Sequence, residues 1–128
     1  MLPLWPVIQE LNPVVTEAYL DSVLDAMIAG GYRIVTIQEG DRCLGLSGIW
    51  VGTKIYSGKY LEMDNVVVTS AYRAQGLGQL LTDYILVLAQ REGCITMMLD
   101  AYLENEKGHA FYERNGFVRR GYHFIKKL

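Results

Sequence analysis

The sequence predicts an α/β fold, with a mixed, mainly antiparallel sheet and helices on both faces. Three observations lead there. Residues 33–69 read as an antiparallel meander of strands broken by glycine-containing turns. The β-branched run Val66-Val67-Val68 leads through a short polar turn and two glycines into an amphipathic stretch from Leu77 to Leu88. A second apolar strand and a second short helix then follow, so strands and helices alternate in the later half of the chain.

The elements follow in chain order. Met1 to Asn12 is short and apolar and predicts a helical turn through Trp5, Val7, Ile8 and Leu11. Asn12 and Pro13 offer an N-cap and a first helical residue. The helix they open shows Leu20, Val23, Leu24 and Met27 on one face and stops at Gly30-Gly31. Arg33 to Gln38 alternates as a strand, Glu39-Gly40-Asp41 turns, and Cys43 to Val51 returns. Gly52-Thr53-Lys54 reads as another turn, with a brief pairing of Lys54 to Tyr56 before Ser57-Gly58-Lys59. Tyr60 to Thr69 is a long strand that enters the glycine loop.

From Leu77 the apolar residues Leu77, Leu80, Leu81, Tyr84, Ile85 and Leu88 share one helical face, and Gly93 ends that helix. Ile95 to Ala101 is apolar enough for a buried parallel strand. Asn105 to Arg114 reads as a helix stopped by Asn115-Gly116, and Phe117 to Lys127 as a closing strand.

Composition narrows the class. The chain has 128 residues, about half of them apolar and a fifth charged, which predicts a single globular domain over residues 1–128. A net charge of −2 carries no basic surplus for nucleic acid. No apolar run is long enough to predict a membrane span, and no leader is evident. Cys43 and Cys94 lie in apolar segments without metal-ligand spacing and read as free thiols of a cytoplasmic protein. No His/Cys/Asp cluster predicts a metal site.

The chemistry-bearing stretch is Arg73-Ala74-Gln75-Gly76-Leu77-Gly78. The first turn of a helix has N–H groups without intrahelical partners and carries partial positive charge. Glycines there let a phosphate approach those groups closely, and Arg73 adds a charge suited to phosphate oxygens. The alternative is a strand-to-helix turn in which glycine only relieves backbone strain. A dinucleotide loop needs a third glycine where Leu81 stands, and a Walker loop needs a following Lys-Ser/Thr that is absent.

These six residues resemble the Q/R-x-x-G-x-G/A signature of the GNAT superfamily, the acetyl-coenzyme A-dependent N-acetyltransferases. Asn105 to Phe117 is similar to a second family pattern, N-x-x-A-x-x-F-Y-x-x-x-G-F, with Gly108 where alanine is usual. The resemblance covers about residues 30 to 128. The family usually begins with a strand before its first helix, and Met1-Leu2-Pro3 leaves little room for one. Either the first strand is missing or the chain is truncated before it. The strand Arg33 to Gln38 would then have an open edge, which predicts a homodimer or a strand supplied by a partner.

The resemblance implies roles. Gln75, Gly76, Leu77, Gly78 and Gln79 would hold the coenzyme A pyrophosphate, with Arg73 at the entrance. Main-chain groups of Val66, Val67 and Val68 would meet the pantetheine arm, and Asn105 would lie on its other side. Tyr112 takes the position of the acid that protonates the departing thiolate, and it also borders the cofactor. Glu62 falls where some members place their base. Asp64 shares its strand face, so the two carboxylates can raise one another's proton affinity. The alternative for both is a solvated strand edge; for Asn105 it is a helix N-cap, and for Tyr112 an interior aromatic. His109 and His123 read as packing or hydrogen-bonding residues. The implied function is transfer of an acetyl group from acetyl-coenzyme A to a primary amine, on a small molecule or peptide, by direct attack. The rival is a non-catalytic acyl-coenzyme A binding or regulatory module.

Overall fold

The computed structural model describes residues 4–73 and 75–128. Ala74 of the glycine loop and Met1-Leu2-Pro3 lie outside the described residues. The elements are α1 (Trp5–Leu11), α2 (Glu17–Ala29), β1 (Arg33–Glu39), β2 (Arg42–Lys54), β3 (Gly58–Val68), a 3-10 turn at Ser70–Tyr72, α3 (Leu77–Arg91), β4 (Thr96–Leu99) and α4 (Glu106–Arg114). The described strands form one sheet in the order β1-β2-β3-β4. The first two pairings are antiparallel, and β3 pairs parallel with β4 through the α3 crossover. The expected mixed, mainly antiparallel sheet is present.

Each face of the sheet has its own core. Ile49, Leu61 and Met63 meet Leu81, Ile85 and Ala89 of α3. On the opposite face Val7 of α1 meets Cys43, Leu46 and Val67. A β-bulge explains how one strand feeds both. Gly48 pairs with Asp64 and Leu46 with Val67, so Asn65 and Val66 together stand opposite Ser47. Asn65 takes the left-handed conformation at φ 57°. The extra residue reverses the alternation. Leu61, Met63 and Val66 therefore serve the α3 side, while Glu62, Asp64 and Val67 point the other way.

Several boundaries differ from the sequence reading. Asn12 is the C-cap of α1, and the N-cap of α2 is Thr16, whose Oγ1 accepts the Tyr19 N–H at 3.1 Å. Asn12 and Thr16 are both good capping residues, and only Thr16 has its side chain at the start of α2. Gly52-Thr53-Lys54 is strand and not turn, because β2 pairs with β3 out to Lys54 opposite Gly58. Phe117 to Lys127 is not a strand. Phe117 packs at the edge of the α3-side core, and residues 118–128 are exposed and have no ladder partner. A strand pattern specifies a face, but strand formation needs a neighbouring edge that supplies the hydrogen bonds.

The face assigned to α3 is partly solvent-facing. Leu81 and Ile85 are buried, whereas Leu80 and Tyr84 are each 57% exposed. Both line a groove of about 480 Å³ with Ile34, Val35, Thr36 and Ile37 of β1. That groove is open because β1 is an edge strand among the described elements.

Candidate active site

The 15-residue helix α3 starts at Gly76, which adopts φ 77°, ψ 9°. Such a left-handed residue favours glycine, so backbone strain alone accounts for Gly76. The space around it is a separate matter. Among the described residues, and leaving aside each glycine's chain neighbours, no atom lies within 4 Å of where a Cβ on Gly76 would stand, and a Cβ on Gly78 would meet only Phe111 Cζ at 3.9 Å. Internal packing therefore leaves the start of the helix open. A cleft of about 290 Å³ lies there, walled by Val68, Tyr72, Arg73, Gly76, Leu77, Gly78, Gln79 and Phe111.

Strand β3 leaves β4 beside this loop. Their parallel pairing runs from Tyr60–Thr96 to Met63–Leu99 and then ceases. The bulge follows immediately, and Val67 and Val68 continue paired to β2 alone. The β4-facing main-chain edge of Val66 to Val68 is thus without a strand partner, the arrangement that a main-chain-binding ligand requires. The side chains divide. Val66 and Val67 pack into opposite cores and Val68 reaches the cleft.

Arg73 lines the cleft and is held there. Its Nε donates to the Val68 carbonyl at 3.3 Å, and its Nη2 lies 3.7 Å from Glu10 Oε1. Glu10 also accepts the Ser70 N–H at 2.8 Å. Burial works to raise the Glu10 pKa, but the Ser70 hydrogen bond and the Arg73 charge bring it below its ordinary value. Sequence reasoning missed Glu10, since nothing in a seven-residue helix sixty positions upstream signals a loop partner. It also missed Tyr72 and Phe111 as walls. Phe111 stands inside the second family pattern and was the legible one.

Other expected cofactor residues stand differently. Gln75 is not among the walls of the cleft. The Gln79 side chain binds Asn115 at 2.6 Å and Asp83 at 2.8 Å, so it ties α3 to the end of α4. Asn105 caps α4, its Oδ1 accepting the Gly108 N–H at 3.1 Å, and it does not line the cleft. The cap accounts for Gly108. An added Cβ there would collide with the Asn105 amide.

Tyr112 sits on the α3 side, its ring 5.3 Å from Phe111 and 5.8 Å from Phe117. Burial raises its pKa, so the phenol keeps its proton at neutral pH. Glu62 and Asp64 lie on the opposite face of β3, as period two predicts. Asp64 is engaged, since Trp50 Nε1–H donates to its Oδ2 at 3.1 Å. Glu62 has its pKa raised first by burial and then by the charges of Asp100 and Asp64, with Lys54 and His123 opposing. Burial also pushes the Cys43 thiol up, which makes it a poor nucleophile at neutral pH.

A model of the Acetyltransferase (GNAT) family matches residues 4–117. The chain belongs to this family. It is an acyltransferase, and its mixed sheet with helices on both faces is the family fold. The acetyltransferase is 27% identical over 126 residues to the uncharacterized N-acetyltransferase YhdJ of Bacillus subtilis, covering 97% of this chain and 89% of that one. It superposes on a putative acetyltransferase from Agrobacterium tumefaciens with a TM-score of 0.81 and 26% identity, over 98% and 91% of the two chains. The same fold recurs, at 15% identity and a TM-score of 0.77, in AAC(6')-Iy in complex with the bisubstrate analogue CoA-S-monomethyl-acetylneamine. That match covers 96% of this chain and 88% of the other. No helix among the described residues of the acetyltransferase is long and apolar enough to cross a membrane.

Proposed function

We propose that this acetyltransferase takes its acetyl group from acetyl-coenzyme A and moves it to a primary amine by direct attack. The observation that carries the reading is the open start of α3, facing a cleft at the point where β3 leaves β4. Helix N–H groups there suit a pyrophosphate, and the edge of Val66 to Val68, which has no strand partner and whose Val68 carbonyl accepts from Arg73 alone among the described residues, suits the amides of a pantetheine arm. The relative that binds a coenzyme A–acetylneamine analogue supports both halves of the reaction. Glu62, rather than Asp64, is the base, because Asp64 is occupied by Trp50.

The chemistry is then balanced by two residues on opposite faces. Glu62 accepts the proton of the acceptor ammonium, directly or through water, and frees its lone pair. The nitrogen forms the new C–N bond at the thioester carbonyl and the C–S bond breaks; the second proton that the nitrogen must lose passes to water, and water returns a proton to Tyr112 after turnover. The Tyr112 phenol gives its proton to the departing sulfur. A carboxylate with a raised pKa is a better base at neutral pH than an ordinary one, and a phenol with a raised pKa remains protonated. Free Cys43 and Cys94 support a cytoplasmic setting. The acceptor is a small-molecule or peptide amine.

Thiol release from acetyl-coenzyme A across a panel of primary amines tests the reading. At least one amine is expected to be acetylated, and Glu62→Gln should lower kcat at pH 7 by roughly 100-fold, the low end for loss of a general base. Turnover of Glu62→Gln equal to that of the parent would remove Glu62 from the mechanism. The uncovered β1 edge and its groove also support a homodimer, as an unblunted edge strand invites pairing. Light scattering is expected to give twice the chain mass; a monomer at high concentration contradicts the dimer.

A further inference from the structure

The main-chain phase of β3 changes at one residue, and a side chain two strands away holds that residue. Ile95 N–H donates to the Lys59 carbonyl at 2.9 Å, so Lys59, Leu61 and Met63 turn their main-chain groups toward β4. Beyond the bulge, Thr69 N–H donates to the Leu44 carbonyl of β2 at 2.8 Å. By alternation Val68 and Val66 then face the open edge, and Arg73 Nε does meet the Val68 carbonyl there. An unbroken strand would instead turn Asn65 and Val67 to that edge. Asn65 makes the change of phase: alone of the described non-glycine residues it has a positive φ, 57°.

The Asn65 side chain is fastened. Its Nδ2 donates to the Tyr32 hydroxyl at 3.1 Å. Tyr32 immediately precedes β1, is buried, and has its ring 5.0 Å from that of Trp50. To reach β3 from there the phenol crosses β2, and it crosses at Gly48, where any Cβ would collide with the Tyr32 hydroxyl and ring. Gly48 is also the partner of Asp64, the residue just before the turn. A tyrosine ahead of β1, a glycine on β2 and an asparagine on β3 thus make one fitted contact at the bulge.

We propose that Tyr32 is a positioning residue for coenzyme A: its hydroxyl latches Asn65 in the left-handed conformation, and that turn presents the main-chain groups of Val66 and Val68 to the pantetheine arm. The inference rests on the reading of this edge as the cofactor site. A left-handed residue carries a steric cost that asparagine bears better than most and glycine does not bear at all. The hydrogen bond to Tyr32 offsets that cost. Without it, the turn competes with a regular strand, in which Val66 and Val68 face β2 and the pantetheine amides lose their partners.

Tyr32→Phe tests the latch, since it keeps the ring against Trp50 and over Gly48 and removes only the hydroxyl. Calorimetric titration is expected to show coenzyme A bound about 3- to 10-fold more weakly, as for one neutral hydrogen bond. Two further variants isolate the backbone conformation. Asn65→Gly takes the left-handed turn without a latch, so it should bind within about twofold of the parent, and adding Tyr32→Phe to it should cost nothing more. Asn65→Ala has neither the amide nor the freedom of glycine and should bind at least as weakly as Tyr32→Phe. Unchanged affinity in Tyr32→Phe overturns the latch. So does an equal loss from Tyr32→Phe in the parent and in Asn65→Gly, the result of a general packing role, or an Asn65→Gly as weak as Asn65→Ala. In each of these cases the parent still binds coenzyme A, and the reading of the cofactor site stands. A parent that binds no coenzyme A overturns that reading, and this inference with it.

Discussion

Gly76→Val is expected to weaken coenzyme A binding by about a hundredfold or more, read by calorimetric titration. Two separate effects act at this position. Gly76 holds φ 77° at the N-cap of α3, where a β-branched residue is strained by roughly 1–2 kcal/mol. The space beside it is open: among the described residues, no atom beyond its chain neighbours lies within 4 Å of an added Cβ. Its harm to binding comes from standing between the helix N–H groups and a pyrophosphate. Loss of one or two charge-assisted hydrogen bonds, each worth about 1.5–3 kcal/mol, gives the expected magnitude. Gly93→Val separates the effects. Gly93 has φ 79°, ends the same helix, and lies away from the cleft. It should lower the melting temperature about as much and leave coenzyme A affinity unchanged. Equal loss of affinity in both variants would assign the loop glycine to strain alone.

Tyr112→Phe is expected to lower kcat by about tenfold to a few hundredfold and to change coenzyme A affinity less than about threefold. As the thioester breaks, negative charge moves onto sulfur, and a phenol can protonate it while it leaves. Help of that kind exists only on the way to products, so it belongs in turnover and not in ground-state binding. The replacement keeps the ring against Phe111 and Phe117 and removes only the hydroxyl. Burial raises the pKa of that hydroxyl, so its proton is present throughout the neutral range. The expected loss is toward the lower end for acid catalysis because a thiolate leaves readily even without a proton. Steady-state kinetics beside a binding titration on the same variant decides. Unchanged turnover where chemistry limits the rate would make Tyr112 a wall and not the acid.

The fold class and the loop were legible because both depend on local patterns. A run of β-branched residues, two glycines and an apolar period of 3.6 describe a strand, a turn and a helix wherever they occur, and Val66 to Leu88 forms all three. The period-two relation of Glu62 and Asp64 likewise survives into the structure, since it needs only an unbroken strand. Asn105 and Asn12 show the limit of such reasoning. Each is a good capping residue, yet Asn105 opens a helix and Asn12 closes one. The choice depended on where the chain had to go next, which capping preference does not encode.

By itself, then, the sequence determined the order of helices and strands from Glu17 to Arg114 in outline, where glycine relieves the backbone, and which side chains share a face. Tertiary structure decided what those faces meet. The bulge at Asn65-Val66 is set by how β2 and β3 register against each other, and it sends Val66 and Val67 to opposite cores. Pairing decided that β4 accompanies β3 only to Met63, which leaves the edge of Val66 to Val68 open. It also left Phe117 to Lys127 without a ladder despite its strand-like pattern. Contacts between residues far apart in the chain joined Glu10 to Arg73, Gln79 to Asn115 and His123 to Asp100. Local propensity is a property of neighbours along the backbone. Such contacts form only after distant segments have packed, so no window on the sequence contains them.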